Sequence, residues 1–99
     1  MIYEVATLTI KPGSEAAFED VLSQAVPLFQ QAPGALSLRV DRTVENMSEY
    51  TLIVGWATLE DHTERFRSST AFTRWRELAG PHFAQPPQVK HTQQAYLGF

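Results

Sequence analysis

The chain predicts one α+β domain built on an antiparallel sheet. Three observations lead there. Four segments alternate apolar and polar residues with the period of two that marks strands. Between them lie apolar stripes at helical spacing. Glycine, proline and serine clusters punctuate the joins, and 99 residues leave room for only one core of adequate but thin size.

The first strand spans Ile2 to Ile10, where Ile2, Ala6, Leu8 and Ile10 alternate with Tyr3, Val5, Thr7 and Thr9. "KPGS" ends it, and Ser14 is a candidate helix cap. From Ala16 to Ala32, Phe18, Leu22, Ala25 and Phe29 form one stripe. Pro27 lies inside this helix, where its ring opposes the carbonyl of Ser23, so a bend is expected. "APGA" stops the helix. A second strand covers Ala35 to Val44, with Leu36, Leu38 and Val40 on one side and Ser37, Arg39 and Asp41 on the other.

"ENMSE" has the length of a hairpin loop. The third strand, Glu49 to Ala57, places Tyr50, Leu52, Val54 and Trp56 on one face. Thr58 is a good cap for a helix reaching about Arg67, with Glu60 and Asp61 at its dipole-favoured start. "SST" breaks that helix and can cap another, Ala71 to Ala79, which stops at Gly80-Pro81. The last strand is expected over Val89 to Tyr96. The order β-α-β-β-α(α)-β, with one hairpin, describes a ferredoxin-like fold with helices on one sheet face. Tyr3 and Val5 make the first strand apolar on its other side too. A second copy of the chain is the economical cover, so a homodimer is expected.

Composition removes several function classes. Apolar residues make up 43% and the net charge is −3, with eight basic residues scattered along the chain. A nucleic-acid surface needs a basic patch, so none is expected. The absence of cysteine excludes disulfides, thiolate metal sites and cysteine nucleophiles. No apolar run reaches the roughly 20 residues that span a bilayer. "MIYEVATLTI" lacks the pattern of a signal peptide, so a cytoplasmic protein without membrane contact is expected. There is no dinucleotide fingerprint, phosphate loop, nucleophile elbow or H-E-x-x-H. Any chemistry must then draw its reactivity from the substrate, and no cofactor or metal is expected.

The candidate site residues gather near the second half. His62 precedes Phe66 by four residues and shares its helix face. His91 sits on the last strand. Each histidine is either a proton carrier near neutral pH or a structural pin. With His82 they match no local metal-ligand spacing. Phe29, Phe66, Phe72 and Trp75 have helical spacing and suit either a core or the wall of a flat aromatic ligand. Trp56 lies beside them on the third strand. Arg67 is a candidate for steadying a phenolate or carboxylate, or else a surface ion pair like Asp61 with Arg65. Arg76 flanks the same cluster. Arg39 and Tyr50, on neighbouring strands, are further substrate-contact candidates.

The run W-x-T-L-E-D-H, F-R-S-S, F-x-x-W-R and F-x-x-P-P-x-V-x-H, from Trp56 to His91, resembles the antibiotic biosynthesis monooxygenase family. The opening strand and both "PG" turns fit as well. The resemblance implies a dimeric α/β barrel covering residues 1–99. It implies oxidation of a small phenol- or quinol-like aromatic with O2 and no cofactor. It pairs His62 with His91. The same barrel also serves other roles, so a non-enzymatic ligand-binding or stress-related dimer is the alternative. Haem-degrading relatives carry an asparagine on the first strand, and this strand has none. Monooxygenase relatives often place a histidine nine residues after the strand-three tryptophan; that position here is Arg65.

Overall fold

A computed structural model describes residues 1–99. Strand β1 (Ile2–Thr9) is followed by helix α1 (Glu15–Gln30), β2 (Ala35–Arg42) and β3 (Glu49–Trp56). A π-helical segment (Asp61–Phe66) leads into α2 (Thr70–Ala79), a 3-10 turn (Gly80–His82) and β4 (Gln88–Thr92). The sheet order is β2-β3-β1-β4, and every neighbouring pair is antiparallel. Helices cover one face, which is the ferredoxin-like α+β arrangement expected.

Strand parity decides which residues enter the core. Ala6, Leu8 and Ile10 from the first strand and its extension meet Tyr50, Leu52, Val54 and Trp56 of β3. From above, α1 lowers Phe18, Ala25 and Phe29, while α2 contributes Trp75 and Ala79. Phe66 closes the gap, 4.7 Å from the ring of Phe29. Together these aromatic and aliphatic groups supply the burial that holds two layers together.

Several local expectations are revised. Helix α1 contains Pro27 and ends at Gln30, two residues before the expected Ala32. Pro27 and Ser23 are both on the exposed side, where solvent can satisfy the carbonyl that loses its partner. Ser14 occupies the cap position without a side-chain bond; Gly13 N donates instead to Glu15 Oε1 at 2.9 Å. In β2 the pairing slips between Ala35 and Ser37, so Leu36 is the extra residue of a bulge. That turns Leu36 outward, and it is 58% exposed. Strand β2 ends at Arg42, and β4 ends at Thr92, whose partner is Tyr3. Beyond it β1 has almost no length left to pair with, so the expected strand to Tyr96 does not form.

The start of the π-helical segment is fixed by reciprocal capping. Asp61 N donates to Thr58 Oγ1, and Thr58 N donates to Asp61 Oδ2, each at 3.2 Å. Gly34, in the "PG" turn before β2, packs directly against this cap. Its φ is +84°, and a Cβ there would lie 2.2 Å from Asp61 Oδ2. Its carbonyl also accepts from Ala57 N at 2.8 Å. Gly34→Ala therefore meets both a strained backbone and a clash. We expect it to cost about 1–3 kcal/mol, read by urea denaturation. An unchanged denaturation midpoint would show that the cap does not depend on this close approach.

Candidate functional site

The π winding has a consequence for side-chain placement. Arg67 N donates to the carbonyl of His62, five residues back, at 3.2 Å. In an α-helix five residues overshoot one turn by about 140°, so the two side chains would diverge. A turn closed by an i→i+5 bond brings them nearly above one another. His62 and Arg67 consequently line the same cleft. Ser69 accepts from Phe72 N at 3.2 Å and starts α2 immediately afterwards. This aims Phe72, Trp75 and Arg76 at the cleft from the other side.

The cleft has a volume of about 1000 Å³ and lies between α2, the sheet and the chain leading to β4. Leu8, Leu52, Phe72, Trp75 and Phe83 give it an apolar wall. At its sheet side stands Glu4, a buried carboxylate on the core face of β1. A smaller hollow of about 250 Å³ between α1 and β2 has no ionisable residue in its lining.

Glu4 stands in a cluster of polar side chains. Trp56 Nε1 donates to Glu4 Oε1 at 3.1 Å. His62 Nε2 lies 3.3 Å from the same oxygen. On its other side, His62 Nδ1 is 2.8 Å from His91 Nε2. The imidazole of His62 stacks on Trp56, with centroids 5.4 Å apart and planes 19° apart. The sheet register places His91 directly opposite Glu4. Glu4 Oε2 takes part in no side-chain hydrogen bond, yet no buried side-chain oxygen lacks a partner. It is therefore the atom that Glu4 presents to the cleft.

The titration behaviour follows from this burial. Desolvation pushes Glu4 up to about 6, opposed by the Trp56 hydrogen bond and the charge of Arg67. His62 is pushed down to about 4, first by burial, then by His91 and Arg67. His91 is lowered by burial and by Arg67. At neutral pH the close approach of His62 to Glu4 is thus that of a neutral imidazole to a carboxylate, not an ion pair. His62 Nδ1 and His91 Nε2 share one hydrogen bond, whose donor is set by the tautomers of the two rings.

The sequence-predicted residues fall into distinct places. His62 and Arg67 line the cleft, with Phe72 and Trp75 on its wall, and His91 stands behind His62. Phe29, Trp56 and Phe66 are buried behind that wall rather than lining it. Tyr50 is buried at the far end of β3 and donates to Glu19 Oε2 at 2.6 Å. Arg39 is exposed on the opposite sheet face and pairs with Asp41 at 3.2 Å. His82 is in the 3-10 turn, and no three carboxylate or histidine groups are placed to hold a metal ion. Glu4 was absent from the sequence expectation. Its signal was parity: a carboxylate sits on the side of β1 that Ala6, Leu8 and Ile10 fill.

Comparison with known proteins agrees with this architecture. Residues 1–78 match the family described as antibiotic biosynthesis monooxygenase. An uncharacterized Bacillus subtilis protein, YczJ, is 39% identical over 93 residues, covering 94% of this chain and 98% of its own length. The crystal structure of a candidate antibiotic biosynthesis monooxygenase from Bordetella bronchiseptica superposes with a TM-score of 0.94 at 43% identity. That match covers 96% of this chain and 97% of the other. SnoaB, a cofactor-independent oxygenase from Streptomyces nogalater crystallised as a point mutant, shares the fold. Its TM-score is 0.83 at 16% identity, with 98% of this chain and 95% of that chain covered. The chain belongs to the antibiotic biosynthesis monooxygenase family. None of its helices is long and apolar enough to cross a membrane.

Glu4 and His62 make opposite contributions to stability with pH. Glu4 has a raised folded-state value, so its contribution is full below 4.5 and is lost as pH rises through about 6. His62 has a lowered value, so its contribution is present above 6.5 and is lost as pH falls towards about 4. Glu4→Gln removes the first effect while keeping an oxygen for Trp56. The variant should be more stable than the parent by about 2 kcal/mol at pH 8, with the gain vanishing near pH 4.5. Denaturation at both pH values checks this; a variant that is less stable at pH 8 contradicts the burial cost assigned to Glu4.

Proposed function

We propose that the protein is a cofactor-independent monooxygenase that oxidises a small phenol- or quinol-like aromatic in the cleft. One observation carries the reading: a carboxylate with a pKa of about 6 opens one oxygen to an apolar, aromatic-walled cavity. Such a group is well matched to removing an acidic proton near neutral pH. Glu4 Oε2 accepts the proton of the substrate, and the charge of Arg67 steadies the resulting anion. Trp56 holds Oε1 by its hydrogen bond, and His62, bonded to His91, packs against the same oxygen and keeps the carboxylate in place. The electron-rich anion then reacts with O2. For a phenol, one oxygen atom enters a ring carbon as a carbonyl; the hydrogen of that carbon and the phenolic hydrogen leave with the other oxygen as water, and a quinone results.

The alternative, a binding protein without chemistry, is less well supported. The histidines are not pinned to backbone carbonyls; they are bonded to each other, and His62 lies against the carboxylate. The reading includes a cytoplasmic homodimer formed through the open sheet face. Half-buried Tyr3, Val5 and Ile53 lie side by side on that face without a cover from their own chain.

Oxygen uptake with a panel of hydroquinones tests the reading. The parent should turn over at least one of them, with kcat/KM rising as pH increases through about 6. Glu4→Gln should lower turnover by roughly a hundredfold or more while remaining folded. The same preparation should sediment at twice the 11.2 kDa chain mass. Full activity in the Glu4→Gln protein would remove the base from this account, and a monomer at micromolar concentration would remove the dimer.

A further inference from the structure

The arginines divide in an informative way. The chain has six: Arg39, Arg42, Arg65, Arg67, Arg74 and Arg76. Arg39 pairs with Asp41, Arg42 with Glu19, Arg65 with Asp61 and Arg74 with Glu77. The two without a carboxylate partner are Arg67 and Arg76, and both line the cleft. A protein of net charge −3 has acids to spare, so the lack of partners is not a shortage of carboxylates.

The two cations also occupy different parts of the cavity. Arg67 acts on Glu4, His62 and His91 alike, which sets it at the proton-accepting end. Arg76 perturbs none of these groups and lies over the face of Phe72, 5.9 Å from the ring centroid. That stacking leaves the guanidinium edge available for a planar, two-oxygen anion. The acids of the lining do not cancel it: Glu4 is at the other end, and Glu77 is turned to Arg74 at 4.0 Å. Between the two arginines runs the apolar wall of Phe72 and Trp75.

We infer that the cleft selects aromatic acids: a phenol or hydroquinone whose carboxylate is received by Arg76 while its hydroxyl faces Glu4 and Arg67. The inference rests on the cleft being the ligand site and narrows the proposed aromatic to an anionic one. Arg76 is here a specificity residue, remote from the reacting atoms.

The test is a binding series read by quenching of tryptophan fluorescence, since Trp75 lines the cavity. The probes are a hydroxynaphthoate, its neutral carboxamide and the parent naphthol. The unmodified protein should bind the acid at least about tenfold tighter than the carboxamide, with the difference shrinking as salt is raised. Arg76→Gln should abolish the preference and leave naphthol binding unchanged, while Arg74→Gln, on the paired arginine nearby, should preserve it. Equal affinity for acid and carboxamide would overturn the inference, as would a preference that survives Arg76→Gln. The salt titration of the unmodified protein stands even if a variant folds poorly. Binding alone is read, so absence of oxygen uptake across the hydroquinone panel would sink the oxygenase reading while selective binding here left this inference intact.

Discussion

One oxygen atom, Oε1 of Glu4, organises the site. It is buried on the core face of the first strand, accepts from Trp56 and has His62 Nε2 3.3 Å away. A buried carboxylate without donors is costly, and the Trp56 bond with the nearby charge of Arg67 makes its ionised form tolerable near neutral pH. The second oxygen is left unengaged towards the cleft. The stacking of His62 on Trp56 ties both rings into one block. The bond between His62 Nδ1 and His91 Nε2 holds the imidazole from its other side. Four side chains from β1, β3, β4 and the π-helical segment thus meet around a single acceptor.

The fold serves this acceptor by register and by winding. Antiparallel pairing sets Glu4 opposite both Val54 and His91, so the carboxylate has an apolar neighbour on one side and a polar one on the other. The i→i+5 turn rotates Arg67 onto the side of His62. Cap residues at Thr58 and Ser69 define where that turn begins and where α2 leaves it. Behind the cavity wall the rings of Phe29 and Phe66 make a stiff floor, packed on each other and, through Phe29, on Trp75 of the wall. Positioning by packed secondary structure, rather than by loops, suits a group whose function depends on its surroundings.

Much of this was legible in the sequence because periodicity carries it. The alternation of Tyr50, Leu52, Val54 and Trp56 and the stripe of Phe18, Ala25 and Phe29 identify the core faces directly. Thr58 and Ser69 announce helix starts through side-chain chemistry that acts locally. What was not legible depends on tertiary contacts. Nothing in "DHTERF" distinguishes π from α winding, because one shifted hydrogen bond separates them. The bulge at Leu36 inverts an apolar residue that strict alternation assigns inward. Glu4 was the instructive omission. A lone acid on an apolar face reads as an irregularity until Trp56, distant along the chain, is seen to bond to it and His62 to pack against it.

The account turns on Glu4 being a carboxylate of raised pKa, and a direct titration measures that. Selective carbon-13 labelling of glutamate side chains, with Glu4→Gln to assign the signal, follows its ionisation by NMR. The account predicts a midpoint near 6, about where burial places it. A midpoint at or below the ordinary 4.5 would contradict it, because such a group would be too weakly basic for the role and its desolvation would not govern the site.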